Sequence, residues 1–503
     1  MNVILLTDVA STIGYGKYGG TYKLATELRN ANYSCQVIDM ISYLSVDEFK
    51  QVIDKFVTDK TVLIGISTTL SEVGFGIDEL IWGRPESDFK AVLDHVKSNN
   101  PNIKICAGGS KIDSAADFPF IDYAILGKAD NAIIALVDHL MNGTDIKSRK
   151  NSHTTIIEGD DYFYTQDQFR RSKIEFQPQD IIFNTECLPM EIARGCIFKC
   201  SFCRFDLIGK KIGDWTKEAD TITEEMTRNY ELYGTTNYMF TDELINESMP
   251  KLDMLANAIS RLPFKIQYSS YARVDLIHRF PEMREMLLET GAASLTFGIE
   301  TFNIRAGKTI GKGLDPDKVK ETLAYCKELW HRKVLMSSGF LVGLPGEDEE
   351  SIYQTLEYLV SDENALDIFM FSPLYMRHTD SIGGMGKSKF ELEPEKYGYK
   401  INPNSKFWWS SSNMNIHKAT SLVKKIYQDP RMKSKNRFNS ASYLGRIMSL
   451  GYSIQDIFSI IYDMDDQQAI AAKEEIDSKV KHMKDLYFEK LMNLSTDIDN
   501  KDK

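Results

Sequence analysis

Met190-Glu191-Ile192-Ala193-Arg194-Gly195-Cys196-Ile197-Phe198-Lys199-Cys200-Ser201-Phe202-Cys203 is the stretch on which the reading of this chain turns. A strand-like opening at Met190–Arg194 passes through a glycine into three cysteines spaced C-x3-C-x2-C. Three thiolates are one ligand short of closing either a four-iron cluster or a structural zinc site. A cube held by three cysteines keeps one iron free for an outside ligand, and an open position marks a metal site that does chemistry. The competing reading is a zinc knob or electron-transfer cluster completed by a fourth side chain. Cys187, nine residues upstream, is the nearest candidate for that role.

Working outward, alternating strand and helix signals continue downstream. Strands are expected at Met190–Arg194, Asn237–Thr241, Lys265–Ser270, Ala293–Ile299, Val334–Val342 and Asp367–Ser372. Helices fit between them. Thr221 and Glu224 form a candidate capping box, Pro281 opens a helix that Gly291 closes, and Asp315-Pro316 and Asp348 start two more. Six strand–helix units predict a partial (β/α)6 barrel over residues 186–380. The cysteines then lie in its first strand-to-helix loop, on the face where such barrels carry their chemistry. Asp242, Glu243, Tyr271, Arg273, Glu300 and Gly343-Leu344-Pro345-Gly346-Glu347 fall at later strand ends on the same face. Acids, an arginine and glycines so gathered suit a charged ligand with amine, carboxylate and ribose groups.

Upstream, residues 1–145 also alternate. Apolar runs at Val3–Leu6, Cys35–Ile38, Val62–Ile66, Ile103–Ala107 and Tyr123–Leu126 predict a doubly wound parallel sheet in an α/β fold. Residues 146–185 read as linker and lead-in. Residues 381–503 read as a mainly helical extension, whose Gln467–Met492 helix is taken as a solvated face and whose Trp408-Trp409 either stacks on substrate or anchors the helices. With 503 residues and a net charge of −12, the chain is not built for general binding to a phosphate backbone, and no nucleic-acid partner is expected. No apolar run reaches the roughly 20 residues of a membrane span. The N-terminus reads as a strand rather than a signal peptide, so a reducing cytoplasm is the expected setting.

The C-x3-C-x-aromatic-C pattern of Cys196, Cys200, Phe202 and Cys203 resembles the signature of the radical S-adenosylmethionine (SAM) superfamily. The resemblance covers about residues 185–375. It implies a [4Fe–4S] cluster on Cys196, Cys200 and Cys203, whose free iron is chelated by SAM, and an external electron donor such as flavodoxin or ferredoxin. It further implies SAM contacts from Phe202, Asp242, Glu243, Arg273, Gly298 and Glu300. Tyr375, Arg377 and His378 follow the sixth strand and are read as substrate contacts.

The first unit is similar to the cobalamin-binding domain of the B12-dependent radical SAM subfamily. That similarity rests on Ile64–Thr69, Cys106–Ser110 and Asp122–Gly127, and it implies corrin contacts from Gly16, Ser67, Thr68, Thr69, Gly108, Gly109 and Gly127. No histidine has an Asp two residues before it, so the usual lower-axial ligand motif is missing. The subfamily's acidic ending appears instead as Gly127-Lys128-Ala129-Asp130. The expected function is cobalamin-dependent methyl transfer to a carbon centre of a small-molecule or peptide substrate. The alternatives are a radical SAM enzyme without functional cobalamin (cyclisation, rearrangement or methylthiolation) and a non-catalytic, metal-stabilised binding protein.

Overall fold

The computed structural model of the chain describes residues 1–8, 16–68, 86–109, 112, 120–205, 207–376, 387–402, 409–435, 438 and 444–495. The first sheet comprises β1 (Val3–Leu6), β2 (Cys35–Ile38), β3 (Leu63–Ser67), β4 (Lys104–Gly108), β5 (Tyr123–Leu126), β6 (Arg149–Asn151) and β7 (Thr154–Glu158). Their order is β2-β1-β3-β4-β5-β7-β6. All neighbours are parallel except β6 with β7. Every residue of β1 and β2 is buried, as strands covered on both faces require. The chain steps from β1 out to β2 and then back past β1 to β3. With right-handed crossovers this reversal places helices on opposite faces and opens a crevice at the carboxyl ends of β1 and β3.

The second sheet contains β8 (Leu188–Met190), β9 (Asn237–Phe240), β10 (Gln267–Ala272), β11 (Ala292–Glu300), β12 (Leu335–Val342) and β13 (Ile368–Pro373). These strands are parallel and lie in sequence order. Every step goes the same way, so the crossover helices share one face and the sheet closes around the other, the layout of a partial barrel. One apolar core spans both sheets, with Leu5, Tyr22 and Phe176 continuous with Leu188, Met190 and Phe240.

Four local expectations are corrected. Residues 149–158, read as linker, form a hairpin that extends the first sheet; Thr154, Ile156 and Ile157 are buried in it. The first barrel strand is only Leu188–Met190, because the Asp242 carboxylate takes the amides of Ile192 (2.8 Å) and Ala193 (3.0 Å) out of the ladder. Thr221 lies inside the helix Ala219–Tyr233 rather than capping it. The helix expected from Pro281 runs Met283–Glu289, preceded by a separate turn of helix at Val274–Arg279.

The extension is helical, with Ile416–Gln428, Ile454–Tyr462 and the long helix Asp466–Asn493 as its main members. That last helix is not simply a solvated face. Ala469, Ile476, Val480, Tyr487 and Leu491 are buried along one stripe. Ile476 packs in the cluster around Leu335 and Ile368, while Tyr487 and Leu491 pack against the first sheet's core. At 1.5 Å per residue its 28 residues span about 42 Å, enough to strap both units together. Among the described residues no helix is long and apolar enough to cross a membrane.

Candidate active site

The cysteine loop leaves β8 and is fixed at its entrance. Gly195 has φ +77°, and a Cβ there would lie 2.5 Å from Leu207 Cβ and 2.6 Å from its carbonyl oxygen; only glycine fits. Its amide donates to Glu243 Oε2 (2.8 Å). The Cys196 amide donates to the Leu207 carbonyl (3.3 Å), and Gly209 N donates back to the Cys196 carbonyl (2.7 Å). On the far side, Ser201 N and Oγ donate to the carbonyls of Ile310 and Thr309, both at 3.1 Å. Segments after β8, β9 and β11 therefore hold one short loop.

The thiols of Cys196, Cys200 and Cys203 lie near enough to one another to interact electrostatically. Burial pushes Cys196 up, and Cys203 to about 11. The Phe198 amide donates to Cys196 Sγ (3.5 Å) and Arg273 Nη1 to Cys200 Sγ (3.4 Å), the donors expected around sulfur that carries charge. Among the described residues no three His, Cys, Asp or Glu side chains gather as tightly as a single metal ion needs. A cluster instead holds its cysteines around a body of bridged irons. Cys187 does not complete the set. It is buried at the amino end of β8, its amide donates to Ser449 Oγ (2.8 Å), and burial pushes its thiol up. The three residue steps of strand to Met190 alone separate it from the start of the loop by about 10 Å.

Beside the thiols lies a cleft of about 30 Å³ lined by Arg273, Asp275, Gly298, Thr301 and Lys312. Arg273 is clamped by Asp275 through Nε (2.8 Å) and Nη2 (2.6 Å), and its guanidinium sits 3.7 Å from the Phe198 ring centre. Burial opposes its charge, but Asp275 and Cys200 more than offset this and raise its pKa. Lys312 Nζ donates to the Gly298 carbonyl (2.6 Å) and stands 4.0 Å from Glu300. Glu300 ends β11 at φ +68°, a strained conformation for a residue with a side chain. Burial raises its pKa, against the pull of Lys312 and Arg273.

A larger cavity of about 330 Å³ occupies the crevice between the two units. Leu5, Gly65, Ser67, Gly108 and Gly127 form the wall at the first sheet's strand ends. Glu191, Arg194, Gly195, Leu207 and Glu243 form the wall at the cysteine loop. Gly127 has φ +75°, and a Cβ there would meet no protein atom. Arg194 ties the walls together. It reaches Asp130 at 2.9 and 3.0 Å and Glu191 at 2.8 and 3.1 Å, packed near the rings of Tyr164 and Phe169. Burial alone would raise Glu191, but Arg194 pulls it down to about 2. Glu243 lacks such a cation, and burial, aided by Asp242 and Glu191, pushes it up to about 7.

The residues singled out from sequence divide accordingly. Phe202 is half-buried in the loop, packed on the barrel core. Arg273 and Gly298 line the small cleft, Glu300 stands 4.0 Å from Lys312 of its lining, and Glu243 faces the large cavity. Asp242 is corrected from ligand contact to scaffold: both its oxygens are engaged, by Ile192 and Ala193 and by Lys251 (2.6 Å). Ser67, Gly108, Gly109 and Gly127 line the large cavity. Gly16 and Thr68 do not; the Thr68 hydroxyl is turned to the Gly108 carbonyl (3.0 Å). Thr69, Arg377 and His378 lie outside the described residues. Tyr375 is exposed and lines neither cavity, although its carbonyl accepts from Arg204 (2.8 Å). Trp409 is fully buried, closing against Gly343 as an anchor; Trp408 lies outside the described residues. The roles of Lys312 and of Asp130 went unread. Each contacts a partner outside its own local segment, and no local pattern marks the pairing.

Residues 190–359 match the radical SAM superfamily. An uncharacterized methyltransferase of Pyrococcus horikoshii is 22% identical over 356 residues, covering 67% of this chain and 72% of that protein. The ribosomal-protein methylthiotransferase RimO of Pseudomonas aeruginosa is 22% identical over 39% of this chain, which spans less than half (47%) of that relative. In fold, the chain is similar to the radical SAM methyltransferase TsrM of Kitasatospora setae, solved with cobalamin and a [4Fe–4S] cluster. That likeness has a TM-score of 0.63 and 15% identity, over 96% of this chain and 100% of that one. It is also similar to the cobalamin-dependent radical SAM enzyme OxsB, with a TM-score of 0.56 and 14% identity, over 100% of this chain and 82% of that one.

Proposed function

The chain carries a radical SAM domain over residues 190–359, and from that premise we propose that it is a cobalamin-dependent methyltransferase acting on a carbon centre of a small-molecule or peptide substrate. When bound, the cluster and SAM supply a 5′-deoxyadenosyl radical and cobalamin supplies the methyl group. The observation that carries the cobalamin reading is the 330 Å³ cavity, which has the glycine-rich strand ends of the first sheet on one side and Gly195 and Glu243 of the cysteine loop on the other. Glycines at 65, 108 and 127 let a broad planar group approach the backbone. Leu5, Ile66, Ala107 and Ile133 give it apolar walls that exclude water. Cys196, Cys200 and Cys203 would hold the cluster, and Arg273, Gly298, Glu300 and Lys312 would orient SAM beside it. Glu243, at the meeting of loop and cavity, holds the Gly195 amide and has its proton poised near neutrality.

The test is anaerobic purification from cells supplied with cobalamin, followed by reduction with dithionite in the presence of SAM. About one corrin per chain by absorbance, with 5′-deoxyadenosine and methionine formed, is the expected result. SAM cleavage by folded protein that holds no corrin leaves a radical SAM enzyme performing cyclisation, rearrangement or methylthiolation. No SAM cleavage, with the metal lost on Cys187→Ala, leaves a metal-stabilised binding protein.

A further inference from the structure

The overall negative charge is reversed around the outer side of the cysteine loop. Segments 199–211, 304–312 and 387–396 carry ten Lys and Arg against four Asp and Glu, in a chain with 60 against 72. They are neighbours in space: the Lys389 amine donates to the Lys199 carbonyl (3.3 Å), the Thr309 and Ile310 carbonyls accept from Ser201, and a Cβ on Gly311 would touch Cys200 Cα at 3.7 Å. Lys199, Lys211, Lys308 and Lys387 are exposed, and among the described residues none of them makes an ion pair. Of the described acids in these segments, Glu391 is taken by Arg204 and Glu393 by Lys396, leaving Glu395. Exposed apolar side chains, Leu392 and Ile212, stand within the same segments or next to them. Charges left uncompensated in this way cost folding stability through mutual repulsion and gain nothing internally. They create a positive field centred on the loop that would carry the cluster.

We propose that this lysine-rimmed face is the docking site of an acidic one-electron donor protein of the ferredoxin type. The inference rests on the radical SAM reading and adds the entry point of the electron. One electron leaves the reduced donor, which becomes oxidised, and passes to the oxidised cluster, which is reduced by one unit; no atom is transferred. The donor must come close to the cysteine loop, and the lysine face adjoins it: the exposed Lys199 directly precedes Cys200, and a Cβ on Gly311 would lie 3.7 Å from Cys200 Cα. Redox partners meet through small interfaces, in which complementary charge sets the encounter rate more than contact area does.

The test uses the reconstituted full-length protein and a reduced plant-type [2Fe–2S] ferredoxin as probe. Binding is measured at low and high salt, and bleaching of the cluster is followed by stopped flow. The triple variant K211E/K308E/K387E is expected to lower ferredoxin affinity and reduction rate by about ten-fold or more at low salt. It is also expected to flatten their salt dependence, while dithionite-driven SAM cleavage stays at the parent rate. Lys479→Glu, on the far helix, should change none of these. Unchanged ferredoxin binding in the triple variant overturns the docking site, as does a loss that K479E reproduces. A triple variant that also fails with dithionite has a damaged loop; single reversals at Lys308 and Lys387 then decide, and parent-like binding in both overturns the proposal. If the parent itself cleaves no SAM with dithionite, the failure lies in the radical SAM reading.

Discussion

Gly195 shows how one residue sets the cysteine loop. Its positive φ and its contact with Leu207 leave no room for a side chain. Gly195→Ala is expected to cost about 1–3 kcal/mol of local strain and to loosen the loop, read as fewer irons per chain after anaerobic reconstitution and an earlier melt. Glu347 offers a second residue-scale test, on pH. Burial pushes it up to about 7, against hydrogen bonds from Thr301 (2.6 Å) and Leu344. The folded state therefore holds this proton more tightly than the unfolded chain does. Its stabilising contribution is complete below about pH 4.5 and is lost as pH rises through about 7. Glu347→Gln should flatten the fall in stability across that window by up to about 3 kcal/mol, measured as denaturation midpoints against pH. The grouping of the three thiols in one loop could be read from their spacing, and the strand-end positions of Arg273 and Glu300 from the alternation of elements. Asp242 was misread for a physical reason. An acid at a strand end looks the same in sequence whether it faces a ligand or two backbone amides and a lysine, and only the fold shows that its lone pairs are taken.

Among the elements, the strands were the most legible. Continuous apolar runs and their regular spacing placed all five of the first unit's principal strands and all six of the barrel to within a few residues. The hairpin Arg149–Glu158 escaped because β6 is polar and largely exposed, pairing only at the sheet's edge. The long C-terminal helix escaped because its charges outnumber its buried stripe. Yet Ala469, Ile476, Val480, Tyr487 and Leu491 recur every seven and four residues, the period of one helical face. Tyr487 anchors it: fully buried, its hydroxyl accepts from the Asp39 amide (2.8 Å). Tyr487→Ala should cost about 3–5 kcal/mol and expose this helix to limited proteolysis. Ile470→Ala, at an exposed position of the same helix, should stay within about 0.5 kcal/mol of the parent.

At the scale of the whole molecule, the site is made by apposition. Arg194 belongs to the cysteine loop and Asp130 to the first unit, and their paired bonds hold the two cavity walls at a fixed separation. Replacing the arginine leaves the buried Asp130 and the half-buried Glu191 without the cation that bridges them. Arg194→Met should therefore destabilise the chain by about 3–5 kcal/mol and lower the corrin retained per chain after gel filtration. Asp130→Asn, which keeps one acceptor, should do so less.

The sequence by itself determined the two alternating α/β units, the three-cysteine loop and its place at the first barrel strand, because hydrophobic period and ligand spacing are local properties. Only the tertiary structure decided what stands opposite that loop. The cavity between the units, the Arg194–Asp130 tie and the lysine face outside Cys200 each join segments far apart in the chain. Contacts of that kind depend on how two sheets pack and where their crossovers lead, and no window of sequence contains both partners.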